Sequence, residues 1–122
     1  MIDGTLIAES LRTETSLEGL ALTVRKISRY RAQGTTPAQP AIWTVLDFEA
    51  DEAAADGLAR AFADVLEDGP GWYVNFQSPT VSFVVFPGKI FRYPRGDAAG
   101  RAGAQAHGRA LAIPEPQLDW TV

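Results

Sequence analysis

Between Gly71 and Asp97 the chain reads GWYVNFQSPTVSFVVFPGKIFRYPRGD, three strand-like runs separated by turn residues. Trp72, Val74 and Phe76 alternate with Tyr73, Asn75 and Gln77. Val81, Phe83 and Val85 then alternate with Ser82 and Val84, and Ile90, Phe91 and Tyr93 follow a Pro87–Gly88 turn signal. Period-two alternation of large apolar residues is the mark of strands with one face packed on a core. A sheet built on this stretch buries its largest side chains on one face, and the rest of the chain has to cover that face.

The flanking sequence supplies further strands and two helices. Residues 1–12 are compatible with a first strand, and Leu20, Leu22 and Val24 alternate with Ala21 and Thr23. That alternation slips at Arg25–Lys26, so the strand either ends there or is re-aimed by a bulge. Residues 32–40, AQGTTPAQP, read as a mobile surface connection. Strand patterning returns over 41–50, with Ile42, Leu46 and Phe48 on one face and Trp43, Val45, Asp47 and Glu49 on the other. Asp51 is placed to N-cap a helix over about 52–67, whose apolar stripe is Leu58, Ala61, Phe62, Val65 and Leu66, with Gly69–Pro70 as its stop. A second helix, capped by Asp97, reaches about residue 112. Its Ala98, Ala102, Ala106 and Ala110 repeat every four residues, and Gly100, Gly103 and Gly108 each weaken it by about 1 kcal/mol relative to Ala. A helix with such small side chains can approach a neighbour closely. In the tail, Pro114 and Pro116 break the helix and leave Leu118 and Trp120 free to dock.

The order of elements predicts one α+β domain over residues 1–122: a mainly antiparallel sheet of five to six strands, two helices packed on one face, and a docked or flexible tail over 113–122. The strand–helix–strand–strand pattern over 41–85 is compatible with a ferredoxin-like or split arrangement. A chain of 122 residues buries a single core without cross-links, and with no cysteine it has no disulfides, thiolate nucleophile or cysteine-type metal site. No apolar run is long enough for a membrane helix, and the acidic N-terminus does not resemble a secretory signal, so the expected location is the cytoplasm. A formal net charge of −4 disfavours a nucleic-acid surface.

Catalytic constellations are scarce. His107, the single histidine, lies mid-helix with no nucleophile or orienting carboxylate in register, so no catalytic residue is assigned. Asp47, Glu49 and Asp51 alternate and could hold a divalent cation, but the calcium-loop pattern fails because Glu52 stands where that loop needs glycine; no metal site is assigned. Arg25, Lys26, Arg29, Tyr30 and Arg31 form one basic-aromatic cluster, and Lys89, Phe91, Arg92, Tyr93 and Arg95 another. Were the two strands neighbours, they would share a cationic surface able to grip an acidic protein. Arg95–Gly96–Asp97 reads as a turn and helix cap. Trp43, Trp72, Tyr73, Phe91 and Trp120 could line a pocket or an interface, and Tyr73, Asn75 and Gln77 share one strand face suited to recognition if the helices lie on the other.

The block 71–97 and the ending 113–120, with alanine-, arginine- and glycine-rich, lysine-poor usage throughout, resemble small proteins of high-GC actinobacteria. That resemblance implies no activity, cofactor or catalytic residue. The residues therefore lead to a non-enzymatic interaction module, binding a protein partner or its own copy, of which an immunity-type protein is one concrete form. Its candidate interface comprises Trp72, Tyr73, Asn75, Gln77, Phe91, Arg92, Tyr93, Arg95 and Trp120, with no cofactor. The alternative is a small-molecule binder or enzyme using Asp47 and Glu49 with Arg25 or Arg92 in a cleft.

Overall fold

The computed structural model describes residues 1–69 and 71–120. Strands β1 (Ile2–Ile7), β2 (Thr23–Arg31), β3 (Ile42–Ala50), β4 (Val74–Gln77), β5 (Val81–Phe86) and β6 (Lys89–Pro94) form one sheet in the order β2-β3-β1-β4-β5-β6. Every neighbouring pair is antiparallel. With helices α1 (Ala55–Val65) and α2 (Ala98–Ala110), this is the α+β class that the patterning predicts. β3 and β4 both run antiparallel to β1 and so parallel to each other, which makes β3–α1–β4 a split β–α–β unit with β1 between its strands. The slip at Arg25–Lys26 is a bulge, with a register shift between Val24 and Lys26 against β3.

The helices lie on opposite faces, which corrects the expectation that both pack on one. Phe62 and Leu58 of α1 join Ile2, Leu6, Phe48, Val74, Phe76, Phe83 and Val85 in the larger core. Ala104 of α2 joins Val84, Phe86, Tyr93 and the tail residues Ile113, Leu118 and Trp120 in a second. Phe83 and Val85 alternate with Val84 and Phe86 along β5, so the two clusters sit on opposite sides of that strand. Its run VSFVVF is buried at five of six positions. Such near-continuous burial requires cover on both faces, and α2 with the tail provides the second layer.

Helix ends depart from expectation for local reasons. Asp51 leads into a short 3-10 turn, Glu52–Ala54, without a side-chain cap, and α1 begins after it. The helix stops at Leu66, before Gly69, because Leu66 turns extended and forms an isolated bridge with Leu11. Arg12 N–H donates to Val65 O, and Glu67 N–H to Ser10 O. Asp97 does cap α2, accepting from Ala99 N–H at 3.1 Å after a turn in which Gly96 has φ +83°. The close-packed row of α2 is not the alanine repeat: Ala98, Ala102, Ala106 and Ala110 are exposed. It is Gly100, Ala104 and Gly108, where an added Cβ would come within 2.5 Å of Tyr93 Cβ at the first and 2.7 Å of Leu118 Cδ2 at the last.

Candidate functional site

α2 and the tail cover the β5–β6 half of their face, and the other half stays open. There Asp3, Thr5 and Ile7 of β1, Trp43, Asp47 and Glu49 of β3, and Asn75 and Gln77 of β4 are half-buried or exposed rather than buried. Their common facing follows from the register, which pairs Asp3 with Glu49 and Gln77, and Thr5 with Asp47 and Asn75. Tyr73, Asn75 and Gln77 thus share the face opposite α1, as alternation predicts.

A groove of about 300 Å³ runs along this half-face, lined by Thr5, Ile7, Trp43, Trp72, Tyr73, Asn75, Gln117 and Asp119 among others. A second depression of about 280 Å³ continues it past Thr5 and Asn75 to Asp3, Arg25, Asp47, Glu49 and Gln77. One end is roofed. The β2–β3 connection and the tail meet there, with Gln39 Nε2 donating to Gln117 Oε1 at 3.1 Å and Gln117 Nε2 donating to Gln39 Oε1 at 2.8 Å and Gly34 O at 2.9 Å. Residues 32–40, expected to be a mobile connection, are therefore tied down, and Gln39 is buried.

Each wall has its own support. Trp43 meets Trp72 edge-on, with centroids 5.1 Å apart, and donates its Nε1–H to Pro40 O at 2.9 Å. Trp72 is buried and its Nε1 has no hydrogen-bond partner among the described residues. Tyr73 packs on Trp120 and Phe86 and donates its hydroxyl proton to Gln117 O. Burial, reinforced by the Asp119 carboxylate, pushes the Tyr73 phenol well above its usual range, so it remains a proton donor at any physiological pH. On the floor, Thr5 Oγ1 donates to Asp47 Oδ1 at 2.9 Å, Gln77 Nε2 to Asp3 Oδ2 at 3.3 Å, and Arg25 pairs with Glu49 at 3.5 Å. The side-chain amide of Asn75 has no hydrogen-bond partner among the described residues.

The other sequence candidates lie elsewhere. Tyr93 and Trp120 are buried under α2, joined by a hydrogen bond from Trp120 Nε1 at 2.8 Å. Phe91 packs beside His107 and Phe86, with Lys89 Nζ 5.4 Å from its ring. Arg92 is on the opposite face over Phe83, and Arg95 donates to Ser78 O at 3.3 Å. Of the candidates, Trp43, Trp72, Tyr73, Asn75 and Gln77 line the groove and its continuation, and Thr5, Ile7, Gln33, Gln117 and Asp119 join them unforeseen. The two basic-aromatic clusters share no surface, because β2 and β6 are opposite edges of the sheet. The proposed Arg92 cleft partner likewise lies on the other face from Asp47 and Glu49. Asp51 stands apart at the 3-10 turn, and no group of three metal-ligating residues occurs among the described residues. His107 lies between the rings of Phe86 and Phe91, at 4.8 and 5.4 Å.

Comparison with protein family models, curated proteins and solved structures finds no match to this chain. No helix among the described residues is long and apolar enough to cross a membrane.

Proposed function

We propose that this chain is a non-enzymatic interaction module that receives a segment of a partner protein in the roofed groove of its open half-face. The observation that carries the reading is the groove itself. It combines an aromatic wall at Trp43 and Tyr73, a half-buried and unpartnered amide at Asn75, and a roof held by reciprocal Gln39–Gln117 hydrogen bonds. Aromatic anchors beside a few fixed polar groups are how interface centres are built. Asp3, Asp47, Glu49 and Asp119 border it against Arg25 alone, a field that suits a basic or neutral side chain on the partner. An immunity-type role is one concrete form of this reading, resting on the small size and net charge of −4.

A small-molecule ligand is the second reading, favoured by the partial roof. The groove volume of about 300 Å³ stands at the lower end of the roughly 300–1,000 Å³ of ligand pockets, and so fits one inserted side chain better than a large cofactor. Capture from the host with wild-type protein and with Asn75→Arg, which fills the groove, separates the readings. A protein retained by the wild type and lost by a folded variant supports the module; a small-molecule mass lost by the variant supports the ligand. Equal retention by both sinks the groove as the site.

A further inference from the structure

The outer edge and α1 face of strand β2 form a second surface, away from the groove. Five large hydrophobic side chains are prominently exposed among the described residues, and three of them, Val24, Ile27 and Tyr30, lie on β2. A fourth, Ile42, starts the neighbouring β3 opposite Arg31. Ile27 is 65% exposed. The strand is nine residues long and ends the sheet, so its outer edge pairs with no described strand. Beside Val24 the face that carries α1 continues into an apolar trough of about 420 Å³, lined by Leu11, Leu17, Leu20, Leu22 and Leu46, beyond the reach of most of α1.

The same strand carries Arg25, Lys26, Arg29 and Arg31 in a chain whose net charge is −4. Arg25 pairs with Glu49, and Arg29 lies near Glu9. Lys26 and Arg31 have no ion-pair partner among the described residues. Cations on an edge strand commonly guard it against pairing. Guarding explains the cations but not an isoleucine left largely bare among them next to an apolar trough. Self-pairing is disfavoured, since two copies of β2 side by side would set these cations against each other.

Val24, Ile27, Arg29 and Arg31 stand opposite Phe48, Leu46, Thr44 and Ile42 and so share the α1 face, whereas Lys26 and Tyr30, opposite Asp47 and Trp43, lie on the other. We propose that β2 accepts, as a seventh strand, an extended segment of a partner protein that carries, along one face, apolar residues at one end and acidic residues at the other. The partner's backbone would satisfy the free edge, and on the α1 face its apolar residues would cover Val24 and Ile27 while its carboxylates would meet Arg29 and Arg31.

Panning a phage-displayed library of random linear twelve-residue peptides against the full chain tests this. The enriched peptides are expected to carry apolar residues and then acidic ones at every second position, so that both fall on one face. Ile27→Asp should weaken their binding about tenfold or more, as should the pair Arg29→Glu with Arg31→Glu, and Asn75→Arg should leave it unchanged. Both β2 sites are exposed, so these variants should fold, which circular dichroism checks. The proposal is overturned by no enrichment, by enriched peptides without apolar and acidic residues on one face, by binding that survives the β2 variants, or by a dimer in sedimentation that Ile27→Asp abolishes.

Discussion

The indole N–H of Trp120 donates to the hydroxyl of Tyr93 at 2.8 Å, joining the last described residue of the tail to the edge strand β6 beneath α2. Burial raises the Tyr93 phenol above its usual value while the Trp120 bond opposes the shift. Trp120→Phe keeps most of the packing and removes the donor, and should cost about 1–2 kcal/mol. Trp120→Ala also opens a cavity and should cost about 3–5 kcal/mol. Urea denaturation of the three proteins checks the order, and equal stability of all three would show that the tail does not hold α2 down.

Glycine substitutions in α2 should differ in sign. Gly103 faces open space, so Gly103→Ala should stabilise by up to about 1 kcal/mol through helix propensity alone. Gly100→Ala and Gly108→Ala meet Tyr93 and Leu118 and should destabilise by about 1–3 kcal/mol despite the same propensity gain. Three thermal melts decide this. A shared upward shift would mean that α2 does not pack on β6 and the tail as closely as described.

Glu9 links the first strand region to β3. Its Oε1 accepts from Thr44 N–H at 2.6 Å and its Oε2 from Thr44 Oγ1–H at 2.9 Å. Burial raises the carboxyl, but these bonds, with Arg29 nearby, outweigh it and hold the group below its ordinary value of 4.5. The folded pKa is depressed, so the stability this carboxylate contributes is present above the unfolded value and is lost as pH falls through the folded one. Urea midpoints measured downward from about pH 6 should therefore drop more steeply for the wild type than for Glu9→Gln. Parallel curves would contradict the linkage.

The strand runs of 71–94 were legible because alternation of Trp72, Val74 and Phe76 admits little else, and the bulge at Arg25–Lys26 showed as a slipped period. Placement of the helices was harder. Reading Phe83 and Val85 as the buried face of β5 left Val84 and Phe86 unexplained, and their burial is what puts α2 on the other side. The alanine repeat of α2 misled because period four marks a face without saying which one packs, and the glycines at 100 and 108 carried that information through Tyr93 and Leu118. Of the groove, Tyr73, Asn75 and Gln77 were visible from period two. Thr5, Gln117 and Asp119 were not, because their proximity depends on β1 inserting between β3 and β4 and on a long-range Gln39–Gln117 pairing that leaves no local signature.

Gln39→Ala should loosen the roof without touching the core, since Gln39 bonds Gln117 and Thr36 N–H but belongs to neither apolar cluster. A loss of about 1–2 kcal/mol in stability is expected, with faster amide exchange confined to 33–39 and 115–119. Exchange that spreads into β5 would show that the roof is part of the core.

Hydrogen exchange of the full chain, alone and bound to whatever protein it captures from its host, bears most directly on the groove as the binding surface. Protection is expected on β1 and β4 around Thr5 and Asn75, in the 33–39 connection and in residues 115–119. Protection confined to α1 or to β6, with the groove unchanged, would contradict it.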